Sequence, residues 1–176
     1  FVIENNIRTQ STLLVHWRRG DFLLSGKDAN KYEKRDNEVN NYYHHYSGLT
    51  SPINVLANIL TIKKQNMDIS QVFLVTNNAD VNEMDFLENE LKRFKIGLIQ
   101  YRQEYNYAHS EQEEAIIQQI VGANCKYQLQ GPTSYERMSA FGRWMLEERK
   151  RYYFNKEYIT TMEVFKDVFH IKQIVG

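Results

Sequence analysis

The stretch His16-Trp17-Arg18-Arg19-Gly20-Asp21 gathers charged and titratable side chains around one glycine. A guanidinium stays protonated and is costly to bury unpaired, so Arg18 and Arg19 require an anion. Arginine forks onto phosphate oxygens with two parallel hydrogen bonds, and Gly20, having no Cβ, lets a ligand or another backbone come close. Phosphate recognition is therefore the chemistry that this stretch offers. The alternative is internal: Asp21 and neighbouring acids neutralise the arginines in a structural knot at a strand end.

The element that must position these groups comes just before them. Leu13, Leu14 and Val15 form a short apolar run with the length and β-branched content of a buried strand. Residues two apart on a strand share a face, so His16 and Arg18 point one way, and Trp17 and Arg19 the other. His16 and Arg18 are the pair assigned to a ligand.

Downstream, residues 25–50 are polar and irregular, a length expected of a functional lid or an insertion. Within it His44 and His45 are adjacent, diverge in either helix or strand and have no spaced cysteine or carboxylate ligands with them, so no metal site is expected. Ser51-Pro52 opens a helix with an apolar stripe of Ile53, Leu56, Ile59 and Leu60 and a basic end at Lys63-Lys64. Gln71 to Thr76 reads as a second buried strand, ending in Thr76-Asn77-Asn78. Asn78 or Asp80 then caps a helix whose Val81, Met84, Leu87, Leu91 and Phe94 share a face. A third strand is expected over 96–100. Glu111 to Glu114 load the first turn of a further helix, buried through Ala115, Ile116, Ile117, Ile120 and Val121. Residues 126–130 read as a fourth strand, Gly131-Pro132-Thr133-Ser134 as a turn into a helix over about 135–151, and 159–169 as a last helical segment.

Strands alternating with helices and lacking tight hairpin signals imply an α/β fold, a Rossmann-like parallel sheet with helices on both faces. Ligands of such sheets sit beyond the carboxyl ends of the strands, where His16, Arg18, Asn77 and Ser134 fall. The 176 residues fit one domain, and 42% hydrophobic with 13% aromatic content describes a packed core. Twenty-two Lys+Arg against 22 Asp+Glu leave no formal net charge. Bulk attraction to nucleic acid is not implied, and an anion site has to be local. Cys125 stands alone, which excludes an internal disulfide. No apolar run approaches the roughly 20 residues of a membrane span. The opening at Phe1, without a methionine or a signal-peptide pattern, suggests a processed chain or an excised domain.

His16-Trp17-Arg18-Arg19-Gly20-Asp21 after an apolar strand resembles the His-x-Arg-Arg-Gly/Thr-Asp signature of the GDP-fucose-dependent O-fucosyltransferases, which include protein O-fucosyltransferases and glycan fucosyltransferases of α-(1,2) and α-(1,6) linkage. Val72-Phe73-Leu74-Val75-Thr76-Asn77 is similar to that family's Val-Phe-Val-Ala-Thr-Asp strand. Ala115-Ile116-Ile117-Gln118-Gln119, Gly131-Pro132-Thr133-Ser134-Tyr135 and Glu148-Arg149 echo its later blocks in the same order. From Leu13 to Arg149 the resemblance implies the donor-binding half of a two-domain glycosyltransferase of the GT-B type. It implies GDP-fucose as donor, a protein or glycan hydroxyl as acceptor, no cofactor and no metal. It also implies a place in the secretory lumen, with membrane attachment only through a segment outside this chain. Carried over by position, His16 lies near guanine, Arg18 is the catalytic group on the β-phosphate, and Ser134 and Tyr135 contact phosphate.

Two departures bear on function. Gln118 stands where the family has an aspartate that pairs with guanine, and Glu136 follows Tyr135 where a carboxylate would repel a diphosphate. Both favour the other class of reading, a non-catalytic relative kept as a nucleotide-binding or interaction module. The sharpest expectation is that Arg18 and Ser134 flank one cleft and share one diphosphate, with the helix amino terminus after Ser134 supplying backbone N–H groups.

Overall fold

In the computed structural model, which describes residues 2–18, 50–77, 80–101, 110–130 and 162–164, the apolar run before His16 is the middle strand of a sheet. β1 (Thr12–Arg18) pairs in parallel with β2 (Gln71–Asn77) on one side. On its other side it pairs in parallel with β4 (Tyr127–Gln130). β3 (Gly97–Gln100) lies outside β2, and β5 (Met162–Val164) outside β4, again in parallel. The order is β3-β2-β1-β4-β5.

Leu13, Leu14, Val15, Val72, Phe73 and Leu74 are all buried. A parallel strand covered on both faces has no solvated side, which is why these strands are written as continuous apolar runs. The two faces are distinct. Leu13, Val15 and Trp17 of β1 pack with Val72 and Leu74 against α1 (Pro52–Gln65), through Val55, Leu56, Ile59 and Ile62, and against α2 (Val81–Arg93), through Leu87 and Leu91. Leu14 packs with Phe73 and Val75 on the opposite face, against Val121 and Ile117 of α3 (Glu111–Asn124) and against Ile7. The fold is α/β, a parallel sheet with helices on both faces, as the alternation in the sequence implies.

The helix signals act as expected at most ends. Ser51 stands in extended backbone before Pro52, although its side chain makes no capping hydrogen bond. Of the two candidate caps for α2 the structure uses Asp80, whose carboxylate accepts from the Asn82 amide at 2.8 Å. Ser110 Oγ caps α3 by accepting from the Glu113 amide at 3.2 Å. α2 ends with Lys95 at φ 58°, the Lys95 amide donating to Lys92 and the Ile96 amide to Leu91 at 3.0 Å each. This is the Schellman arrangement, with lysine in the left-handed position that usually holds glycine.

Three expectations change. Ile53, Val81 and Phe94 sit at helix ends and are exposed, because the buried stripe is carried by positions deeper in each helix. Ile116 and Ile120 are about half exposed, since Ile117 and Val121 set the sheet-facing side of α3 and the other two turn away from it. Finally, Met162–Val164 is a strand, not part of a helix: it pairs with β4 through Gln128↔Met162, Leu129↔Glu163 and Gln130↔Val164. Pairing with β4 overrides the i, i+3 apolar spacing that suggested a helix, and the β-branched Val164 suits extended backbone. The helix expected over 135–151 lies outside the described residues, as do residues 25–49 of the polar insertion. No helix among the described residues is long and apolar enough to cross a membrane.

Candidate functional site

Registers fix what meets at the carboxyl edge of the sheet. Val75, His16, Gln130 and Val164 stand in one row across four strands, and Arg18 pairs with Asn77 two residues beyond. His16 and Arg18 are thus the last polar positions of the middle strand. The crossovers on the two sides of β1 leave for opposite faces: α1 and α2 cover one, and α3, which leads into β4, covers the other. A parallel sheet opens a crevice where its connections diverge in this way, and here that point is between β1 and β4.

The side chains of β1 divide accordingly. His16 has the parity of Leu14 and belongs to the face covered by α3; it is half-buried. Trp17 has the opposite parity, is fully buried, and donates its indole N–H to the Thr50 carbonyl at 2.7 Å. This bond ties the end of β1 to the residue two positions before α1. Sequence reasoning placed Trp17 on the far face but assigned it no partner, because Thr50 is 33 residues away in the chain.

Gln118 is half-buried on α3, and its Nε2 donates to Glu114 Oε1 at 2.7 Å. In the last turn of the same helix the Gly122 carbonyl accepts from Gln128 Nε2 of β4 at 3.2 Å. Gln118 is thus carried by the helix that covers the face to which His16 belongs. Ser134 and Tyr135 lie outside the described residues, and so do Arg19, Glu136, His44 and His45; the chain leaves β4 at Gln130, the register partner of His16. Among the described residues no three His, Cys, Asp or Glu side chains come together as a metal ion would need.

A second polar cluster occupies the opposite end of the sheet. Asp68, ahead of β2, accepts from Lys126 Nζ at 2.8 Å and from the Tyr127 hydroxyl at 2.8 Å. The hydrogen bond to Asp68 is the main reason the Lys126 ammonium is pushed up to about 12, and it likewise holds the Asp68 carboxyl below its usual range. Burial pushes the Tyr127 phenol up. Lys126 also stands 4.8 Å from the centre of the Tyr127 ring. The cluster clamps the entry to β2 onto the entry to β4, across the amino end of β1, and is remote along the strands from His16.

Two buried oxygens, Gln128 Oε1 and Thr76 Oγ1, have no hydrogen-bond partner among the described residues. Comparison with known protein-family models and with curated proteins returns no match for this chain.

Proposed function

We propose that this domain binds a nucleoside-diphosphate sugar, GDP-fucose being the best fit, as the donor half of a two-domain glycosyltransferase that moves fucose to a protein or glycan hydroxyl. The observation that carries the proposal is the strand order: it sets His16 and Arg18 at the carboxyl end of the middle strand, beside the crevice where the crossovers diverge. Arg18 would neutralise charge growing on the diphosphate as the bond to the sugar breaks, with no metal needed. A preorganised donor in such a role is worth about 3–4 kcal/mol in the transition state. Ser134 and Tyr135 would complete the phosphate contacts, and the secretory lumen is the compartment that the resemblance implies.

Calorimetric titration with GDP, UDP and GTP tests the binding step, and Arg18→Ala in the longest natural chain tests the transfer step. Selective binding of guanine nucleotides, together with a fall in transfer of at least about a hundredfold in the variant, is expected. Undiminished transfer removes Arg18 from the mechanism. The second reading, a non-catalytic binding module, draws on Gln118, whose amide nitrogen is engaged inside the protein by Glu114. A retained fold with no nucleotide binding decides for an interaction module.

A further inference from the structure

β1 is not held evenly along its length. β2 pairs with it to the end, at Trp17↔Thr76 and Arg18↔Asn77, whereas β4 pairs with it only as far as His16↔Gln130. Among the described strands, Trp17 and Arg18 therefore have a ladder neighbour on one side and none on the side where the crevice opens. A strand end paired on one side frays easily, so another contact has to set its direction.

The Trp17 side chain supplies that contact. Its ring is fully buried in one cluster with Val15, Val55 and Ile59, and a ring in a close-packed core cannot shift without opening a void. Its N–H donates to the Thr50 carbonyl at 2.7 Å. Thr50 is itself fully buried and stands two positions before α1, so the indole is bonded to backbone and not to a side chain that could rotate away. The anchor acts from the face of β1 opposite to that of His16, and so leaves the ligand side clear. A phenylalanine or leucine would fill this part of the core without any donor. The N–H is thus a feature that packing alone does not call for.

An arginine site for phosphate does call for it. Two parallel hydrogen bonds to phosphate oxygens need the guanidinium in one place, and a long side chain reaches that place at less entropic cost when its backbone is already fixed. We infer that Trp17 is the positioning residue of the proposed anion site: through its bond to the Thr50 carbonyl it sets the backbone of Arg18, and with it the reach of Arg18 to the β-phosphate. The inference rests on the nucleotide-sugar reading above and adds to it a residue that touches no ligand.

The experiment is calorimetric titration of the 176-residue chain with GDP and GMP, which differ by the β-phosphate, repeated for Trp17→Phe, for Arg18→Ala and for the two changes combined. Leu91→Ala, a fully buried residue of the same core cluster on α2, is the control for lost stability. Trp17 replaced by 3-benzothienylalanine, which keeps the size of the indole and has sulfur in place of the N–H, serves where the phenylalanine variant does not fold. The wild-type chain is expected to prefer GDP to GMP by at least about tenfold, as hydrogen bonds to a charged group supply. Arg18→Ala should abolish that preference, loss of the indole N–H should cut it at least about threefold, and Leu91→Ala should keep it. The combined variant should match Arg18→Ala alone, because a residue that acts through another adds nothing once the other is gone. Equal weakening of GDP and GMP on loss of the N–H, a GDP preference that Arg18→Ala leaves intact, or losses that multiply in the combined variant overturn the positioning role and leave nucleotide binding in place. A folded wild-type chain that binds neither nucleotide overturns the nucleotide reading itself, and the role of Trp17 with it.

Discussion

Replacing Trp17 by phenylalanine tests the link between the core and the motif. Trp17 is fully buried, sits among Leu13, Val15, Val55 and Ile59, and donates to the Thr50 carbonyl. Phenylalanine keeps an aromatic ring in place but removes the N–H and about 40 Å³ of side chain. At about 24 cal/mol per Å³ of cavity, the volume term comes to about 1 kcal/mol. The lost buried hydrogen bond adds about 1–2 kcal/mol. The total, about 2–3 kcal/mol, lowers the urea midpoint by roughly 1–1.5 M at a slope of about 2 kcal/mol per M. Far-UV circular dichroism at pH 7 is the assay, because Trp144 would confuse a fluorescence signal. The slope is expected to stay constant. A loss below about 0.5 kcal/mol would refute the account, since neither the packing nor the indole hydrogen bond could then hold the end of β1 in place.

Further outcomes follow from single observations. Lys95→Gly relieves a left-handed residue at φ 58° and is expected to raise stability by about 0.5–1 kcal/mol in the same denaturation assay. Gln128→Met removes a buried oxygen that has no partner among the described residues, and the Gly122 carbonyl keeps the Cys125 amide at 3.1 Å, so stability should hold or rise by up to about 1 kcal/mol; a loss larger than that contradicts the account. Asp68→Asn tests pH dependence. The lowered Asp68 carboxyl stabilises fully above its ordinary 3.8 and loses that contribution as pH falls through the folded value. The raised Lys126 contributes fully below its ordinary 10.5 and loses it as pH rises through about 12. The difference between wild type and variant should therefore be flat from about pH 5 to 10 and shrink below about pH 4. Its size stays within about 1 kcal/mol, because the pair is partly exposed.

The sheet was legible because burial on both faces leaves a simple signature, an uninterrupted apolar run that ends abruptly in polar residues. β1 and β2 carry it strongly, and their limits were expected to within a few residues. β5 carries it weakly: three paired residues with one glutamate among them do not stand out from helical spacing. The exposure of Ile116 and Ile120 was not legible either, because Ile116, Ile117, Ile120 and Val121 together cover two sides of a helix and only the packed sheet selects one. His16 and Arg18 could be read as a site because strand parity and the strand-end rule are local.

What separates the two polar ends of the sheet is how much hydrogen-bonding capacity each has already committed. At the amino end the groups satisfy one another. Gln71 accepts from the Arg8 amide at 2.9 Å and donates to the Asn6 carbonyl at 3.0 Å, Ser11 and Ser70 meet at 3.0 Å, and Asp68 takes both Lys126 and Tyr127. Such a network locks strand entries together and has little left for a ligand. On the face that holds His16, the bond from Gln118 Nε2 to Glu114 Oε1 stays within α3 and ties no strand to another. Structure is served where donors and acceptors close on each other, and recognition needs them held in place but open. By that criterion the amino edge is built as structure, and the ligand proposed above is to be sought at the carboxyl edge.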